Sequence, residues 1–370
     1  MKDAPNTLSN ASLQRRTFLA AASTVAATAA SLSAKSYARV LGANDRLGVG
    51  LIGGGVIGKA HMGVINNLKE KNNLHPVCVA DCWKTRAEEG KATIQADHAE
   101  TDYRKLLEHK DIDYVIVATP EHWHWTMTID AMDAGKAVYC EKPLTHTIPE
   151  AQAVVKKQKQ TGRPVQVGVQ AMSDDSYISA GKAIQEGMIG KVLQAQIEYV
   201  RRYNKNAGPW REPELVNKYK DKPADLDWDA WLGSAKKIEW NPNHYFEWRC
   251  YSAYSGGICT DLFIHRITRI MKACNLLYPR RVVGMGGIWQ WPDGRDLPDN
   301  VEMICEYPRG MTVYVLGTMG NRVRVDHLIR GYDGTLFFNN EGWVAKDPDG
   351  KVLGQHKKTG GEDQNLHHTN

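Results

Sequence analysis

From Leu47 onward the chain alternates two textures. Short runs such as "LGVGLI", "HPVCVA", "YVIVA", "KAVYCE" and "PVQVGV" are apolar at nearly every position. Between them lie segments such as "GKAHMGVINNLKEK", "KTRAEEGKATIQA", "DYRKLLEH", "WTMTIDAMDAG" and "IPEAQAVVKKQKQTG", in which apolar residues return every three or four positions. A run that is apolar throughout is a strand buried on both faces. Strands alternating with amphipathic helices predict a parallel sheet covered on both sides. The pattern therefore predicts an α/β fold that opens with a doubly wound domain over 46–172.

Near residue 175 the texture changes. After one more helical segment, "ISAGKAIQEGMIGKV", come "LQAQIEYVRRY", "RVVGMGGIWQW", "NVEMICEYP", "MTVYVLGTM" and "GTLFFNN", which alternate apolar and polar positions. Such alternation predicts strands with one covered and one open face, hence a second α/β domain over 173–370 with an open, mostly antiparallel sheet. The stretch 203–257 is rich in Trp, Pro, Asn and Tyr and shows neither period. A loop of that length in a compact domain is usually functional. The chain stops at "EDQNLHHTN" with no helix-ending signal, which suggests truncation of a longer protein.

The first 45 residues do not belong to this pattern. "SLQRRTFLAAASTVAATAASLSAKSYA" carries paired Arg15 and Arg16, a weakly apolar Ala-rich run and then small residues. It resembles a twin-arginine export signal over 1–38, followed by a linker over 39–45. The run is too short and too polar for a stable membrane span. Export by this route carries proteins already folded, with any cofactor inside, and places this protein in the periplasm or otherwise outside the cytoplasm.

Composition narrows the picture a little. The net charge is +5, and the first 38 residues hold most of it, which leaves too little to argue for nucleic acid or a membrane surface. Seven cysteines form no C-x-x-C pair and no metal-like cluster, so the chain is read as holding reduced thiols and no metal. Eleven tryptophans suit a carbohydrate site, although most large aromatics simply fill cores.

The first chemical motif is "GLIGGGVIGKAH". Gly53, Gly55 and Gly58 make a G-x-G-x-x-G that follows a strand and opens a helix. Gly53 permits the tight turn, Gly55 lets backbone approach a pyrophosphate, Gly58 lets helix pack on strand, and the first helical residues Val56 and Ile57 offer N–H groups to an anion. The next strand ends at Asp81, placed to accept the ribose hydroxyls of NAD and to repel the extra phosphate of NADP. Lys84 and Arg86 just beyond it soften that preference. NAD is the expected cofactor and NADP the less favoured one.

The second is "VYCEKPLTHT". Glu141 and Lys142 end a parallel strand, and ligands bind at the carboxyl edge of such sheets. Lys142 would there stand beside the nicotinamide and stabilise the oxygen of a reacting hydroxyl, with Glu141 near the nicotinamide ribose. A strand-end salt bridge would be the plainer explanation. The third is "YSGGICTDLFIH", in which Asp261 and His265 are four residues apart. On a regular helix they share one face, where the carboxylate would orient the imidazole.

Together, "GVGLIGGGVIG", "VIVATPEHWH", "YCEKPLTHT" and "GGICTDLFIH" resemble the glucose–fructose oxidoreductase / inositol dehydrogenase family over nearly the whole chain after residue 45. The resemblance implies a Rossmann domain followed by an α/β domain with an open sheet, and a cis bond before Pro143. It also implies that Thr119 and Pro120 turn under the cofactor, that His124 sits close to the nicotinamide half with Trp123 packed near it, and that Gln170 borders the nicotinamide. His265 becomes the acid/base, Lys142 its partner on the substrate oxygen, and Asp261 the orienting group. Arg201, Arg202, Tyr203, Trp210, His244, Tyr245, Trp248 and Arg249 are candidate substrate contacts, since aromatic faces with Arg suit a sugar.

Three readings follow. The leading one is an exported NAD-dependent oxidoreductase acting on a sugar or sugar derivative with a tightly held, recycled cofactor. The second is a glycoside-cleaving enzyme that oxidises transiently, eliminates and reduces again. The third is a non-catalytic sugar-binding module with structural NAD. A homo-oligomer formed through the open sheet is expected by family analogy.

Overall fold

A computed structural model describes residues 46–202, 207–308 and 310–359. The signal, the linker, Tyr203 and the final "EDQNLHHTN" lie outside the described residues.

The first half is β1 (Leu47–Ile52), α1 (Val56–Leu68), β2 (Leu74–Ala80), α2 (Lys84–Ile94), β3 (His98–Glu100), α3 (Tyr103–Glu108), β4 (Tyr114–Val117), α4 (Glu121–Asp133), β5 (Ala137–Glu141), α5 (Ile148–Thr161) and β6 (Val165–Gly168). The strands form one six-stranded sheet in the order β3-β2-β1-β4-β5-β6. The neighbouring pairs β1–β4, β2–β3, β4–β5 and β5–β6 are all parallel. Alternate residues of β1 feed different cores: Val49 and Leu51 join one and Ile52 the other. That is why these strands read as unbroken apolar runs, each fully buried side chain adding about 1.5–3 kcal/mol. Local signals agree with the global fold. In α5, Thr147 and Glu150 form a capping box, Pro149 stands in the first turn, and Gly162 ends the helix at φ 66°.

The second half begins with α6 (Asp175–Gln185) and β7 (Val192–Val200). Then come α7 (Pro213–Lys218), α8 (Trp228–Leu232), α9 (Pro242–Phe246), a 3₁₀ turn (Trp248–Cys250), a π turn (Ile258–Leu262) and α10 (Ile264–Ala273). It closes with β8 (Arg281–Gly287), β9 (Asn300–Tyr307), β10 (Met311–Thr318), β11 (His327–Gly331), β12 (Thr335–Asn339), β13 (Gly342–Lys346) and β14 (Val352–Lys357). The eight strands run in the order β14-β13-β12-β11-β7-β10-β9-β8. The sheet is antiparallel except for the β7–β10 pair. One face packs on α6 and α10 through Ala195, Ile197, Val313, Val315, Ile270 and Ala273.

The aperiodic stretch is folded, not an open loop. Residues 207–255 carry three short helices around an aromatic core of Trp228, Trp231, Tyr245, Tyr251 and Tyr254, into which Trp83 from the first half inserts. Trp228 and Trp231 stack with centroids 4.9 Å apart. This strap lies on the turn after β2. Asp225 accepts hydrogen bonds from Trp83 Nε1 and from the Thr85 amide and hydroxyl. Leu226 bridges Trp83, and the Asp227 amide donates to the Cys82 carbonyl.

Candidate functional site

The glycine turn is built by close approach. Gly53 has φ +100°, and a Cβ there would stand 2.7 Å from the Ala118 carbonyl oxygen. A Cβ on Gly58 would stand 1.9 Å from the Gly53 carbonyl oxygen, so α1 reaches β1 only because that position is bare. Gly55 differs. A Cβ there would meet nothing nearer than Arg86 Nη1 at 3.8 Å, so its backbone faces open space. Gly55 is also the N-cap of α1, with no side-chain cap and no acidic residue in the first turn. The free N–H groups of the first turn thus lack a counter-charge, which a pyrophosphate supplies. The residues fit the dinucleotide expected from the sequence.

Asp81 ends β2 beside that turn. One carboxylate oxygen accepts the Gly54 amide at 2.7 Å and the other the Trp83 amide at 2.8 Å. Burial pushes its carboxyl up, and Arg86 with the two amides offsets part of the push. Asp81 therefore braces the glycine turn. Arg86 lies over the Trp83 and Tyr245 rings, with its guanidinium carbon 4.8 and 5.3 Å from their centroids.

A cleft of about 680 Å³ runs over this surface. Gly53, Gly55, Val56, Ile57, Asp81, Thr119, Pro120 and Trp123 line one side. The strap supplies the other through Trp210, Trp231, Gly233, Tyr245, Trp248 and Arg249. Trp231 locks the two sides, since its carbonyl oxygen receives Trp123 Nε1 at 2.8 Å and faces His122 Nε2 at 3.0 Å.

Lys142, Asp261 and His265 sit beyond the cleft's end and are not among its lining residues. Lys142 Nζ donates to Asp261 Oδ1 at 2.7 Å and to the Asp261 carbonyl at 2.8 Å. Arg249, which does line the cleft, donates from Nε to the same Oδ1 at 3.2 Å. Burial alone would raise the Asp261 carboxyl, but Arg249 and Lys142 outweigh it and hold it at about 2. His265 is pushed down to about 3 by burial first and the Lys142 charge second, with Asp261 pulling the other way. Its imidazole is neutral at neutral pH and can accept a proton.

Four sequence expectations are corrected by this geometry. Asp261 does not hydrogen-bond His265, because its carboxylate is spent on Lys142 and Arg249. The i,i+4 argument assumed a regular helix, whereas Ile258–Leu262 is a π turn and α10 begins only at Ile264. His124 has no nitrogen left for a ligand: Nδ1 lies 2.6 Å from the Pro143 carbonyl and Nε2 2.8 Å from the Thr119 carbonyl. It is a strut between the ends of β4 and β5. Glu141 is 3% exposed, and its carboxylate is paired with His61 Nε2 at 2.9 Å. Tyr245, at 4% exposure, belongs to the aromatic core beside Arg86 and Asp81, not to the Lys142 end.

The other candidates are dispersed. Arg201 is exposed at the end of β7 with its guanidinium carbon 5.2 Å from the Tyr199 centroid, and Arg202 is exposed beside it. Gln170 follows β6 with its buried Oε1 unpartnered. His244 stacks on Tyr251 at 4.0 Å, and Trp248 carries the Arg249 guanidinium carbon 4.1 Å from its centroid. The Lys142–Pro143 bond is cis. Sequence reasoning missed His61, Glu121 and Trp231. His61 had one signal, a polar residue on the buried face of α1. The other two act on groups more than a hundred residues away.

Comparison with known proteins agrees with the fold. Residues 47–169 match the model of the oxidoreductase family, NAD-binding Rossmann fold, and residues 176–274 that of its C-terminal alpha/beta domain. The inositol 2-dehydrogenase of Salmonella typhimurium is 29% identical over 188 residues, 50% of this chain and 54% of that enzyme. The chain thus spans about half the length of that curated relative. The levoglucosan dehydrogenase of Pseudarthrobacter phenanthrenivorans is 25% identical over 325 residues, 80% of this chain and 74% of that protein. A solved levoglucosan dehydrogenase complex with NADH shares the fold at a TM-score of 0.64 and 23% identity, covering 86% of this chain and 80% of that one. With both of its domains matched in order and its glycine turn open to a pyrophosphate, the chain belongs to the Gfo/Idh/MocA oxidoreductase family and has its NAD-binding Rossmann domain.

Proposed function

We propose that this protein is an exported oxidoreductase that moves hydride between a carbinol carbon of a sugar or polyol and a tightly held NAD. The observation that carries the reading is the Lys142–Asp261 pair, 2.7 Å long, at the carboxyl edge of the parallel sheet with a neutral His265 beside it. A bound NAD, which the Gly53–Gly58 turn and Asp81 would hold, would supply the hydride acceptor. His265 takes the hydroxyl proton, and the Lys142 ammonium hydrogen-bonds the oxygen as negative charge grows on it. Asp261 holds the ammonium in place, and Arg249 in turn holds the Asp261 carboxylate. Arg249 and Trp248, at the cleft's end, are the nearest candidates for sugar contact.

Two further parts of the reading rest on the chain's surface and terminus. Val283, Met285, Ile304 and Tyr314 project from the open face of the second sheet at 62, 70, 40 and 41% exposure, and pairing through that face gives a homo-oligomer. The paired Arg15 and Arg16 give export in the folded state, which favours a cofactor that does not dissociate. No helix among the described residues is long and apolar enough to cross a membrane.

The test is to denature the purified protein and identify the released ligand by mass and absorbance. Stoichiometric NAD(H) supports the reading. NADP(H) overturns the role given to Asp81, and a preparation that is empty and binds NAD weakly overturns cofactor retention. With inositols and levoglucosan as first probes, H265A and K142M should each lower turnover about 10²–10⁴-fold.

A further inference from the structure

Among the buried carboxylates, one bridges the two halves beside the Lys142–Asp261 pair. Glu121, the first residue of α4, is 1% exposed and belongs to the nucleotide-binding half. Its partners all lie in the other half, more than 130 residues away. Oε1 accepts the Ser255 hydroxyl at 2.7 Å. Oε2 accepts the Gly256 amide at 3.0 Å and the Thr260 hydroxyl at 2.9 Å. Ser255 in turn accepts the Gly257 amide at 3.0 Å. Gly257 has φ +62°, so the backbone here is bent into a shape that depends on these contacts. Thr260 is the neighbour of Asp261 within the π turn.

A buried carboxylate with three donors fixes what it touches, because leaving any of them unpaired costs more than the bonds contribute. Here it fixes the entry and middle of the turn that presents Asp261 to Lys142. No other hydrogen bond from α4 to the 255–260 segment is recorded among the described residues. Burial and the nearby Asp261 charge push the Glu121 carboxyl up while the three donors pull it down. Asp261 pairs with both Lys142 and Arg249, and its charge reaches Glu121.

We propose that Glu121 is a positioning residue for the catalytic lysine: it holds the π turn across the domain junction so that Asp261 grips Lys142. It is not among the residues that line the cleft and acts only through Asp261. The inference rests on the assignment of Lys142 in the preceding section, but its test needs no turnover and survives the failure of that assignment.

The test is the reactivity of Lys142 toward acetic anhydride, followed by peptide mass mapping in the full-length protein with exposed Lys105 and Lys237 as internal references. In the wild type the ion pair protects Lys142. D261N should raise its labelling rate about tenfold, the change expected when one hydrogen bond to a charged group is lost. E121A should raise it by a comparable factor, and E121A combined with D261N should add nothing to D261N alone. E121Q keeps an oxygen acceptor for Gly256 and Thr260, and its amide can donate to Ser255, so it should label within about twofold of wild type, an interaction-sized difference. NADH binding, followed by fluorescence, should stay within the same factor in E121Q.

Each alternative result is decisive. If E121Q labels as fast as E121A, the charge of Glu121 matters and its positioning does not. If E121A and D261N are additive, Glu121 does not act through Asp261. If E121A leaves Lys142 protected, the latch does not exist. Should E121A fail to fold, T260V, which removes one latch bond, replaces it with the same expectations at a smaller rise.

Discussion

The two walls of the cleft are built on opposite principles. The glycine turn is rigid because atoms are missing: Gly53 and Gly58 stand where a Cβ would strike backbone at 2.7 and 1.9 Å. The strap is rigid because atoms are abundant: Trp228, Trp231, Tyr245 and Tyr254 fill a core of their own. One wall is specified by a spacing of three glycines within six residues. The other is specified by contacts among residues spread over nearly fifty positions, plus Trp83 from the far half. A wall made by absence tolerates no addition, and a wall made by packing tolerates no removal. The difference also bears on the cofactor, because the glycine wall is continuous with the parallel sheet whereas the strap is pinned to it by Trp83 and a few polar contacts.

The comparison can be broken most directly at Trp231, which is 6% exposed and stacked on Trp228. W231A should cost about 3–5 kcal/mol, the usual range for truncating a buried aromatic. The loss should be local, with protease cleavage appearing first within 207–255 while the Rossmann half keeps its amide protection. Global unfolding in a single step would show that the strap is not a separate unit. G58A attacks the opposite wall. It should cost about 1–3 kcal/mol of overpacking, more if the backbone cannot yield, and should weaken NADH binding measured by fluorescence. The strap's own protease resistance should be unchanged.

Acid sharpens the comparison at the junction. His122 faces the strap, and burial pushes it down to about 4. Below its ordinary value near 6.5 the unfolded chain takes up a proton that the folded chain refuses, so the unfolded state binds more protons and stability falls as pH falls. The loss should accumulate between about pH 6.5 and 4 and reach about 2–3 kcal/mol from this residue. Thermal midpoints of wild type and H122Q against pH will check it, the variant giving the flatter curve. The smallest effect is expected at Asp225, an exposed residue that pins the strap to Thr85 and Trp83. D225A should cost about 1 kcal/mol and raise the NADH dissociation rate more than it lowers the thermal midpoint. Stopped-flow release would show this, and an unchanged rate would mean that the strap does not retain the cofactor.

The parallel sheet was legible because burial on both faces writes continuous apolar runs, and most of the antiparallel sheet because one open face writes alternation. The elements that escaped notice carry neither signature. Three-residue β3 is too short for any period, and β11, β13 and β14 fall in a polar, turn-rich tail. The strap helices are five or six residues long, shorter than two helical turns, so no period could show. Among site residues, the sequence brought Lys142, Asp261 and His265 to one place but misread how they connect. The pairing of Asp261 with Lys142 rather than His265 depends on a π turn, and nothing in "CTDLFIH" announces one.

What the sequence determined by itself, then, is whatever short-range geometry enforces: the glycine turn, the strand that runs into Lys142, and the order of the two α/β halves. Those features depend on neighbours within a few residues, where chain connectivity fixes the distance. The tertiary structure alone decided that Glu141 turns to His61, that His124 braces two strand ends, that Tyr245 packs in a core, and that Glu121 reaches across to Ser255, Gly256 and Thr260. Each is a hydrogen bond or packing contact between groups the chain leaves far apart. Their partners are chosen by which polar groups the fold buries together, and a buried donor or acceptor must take the partner it finds there.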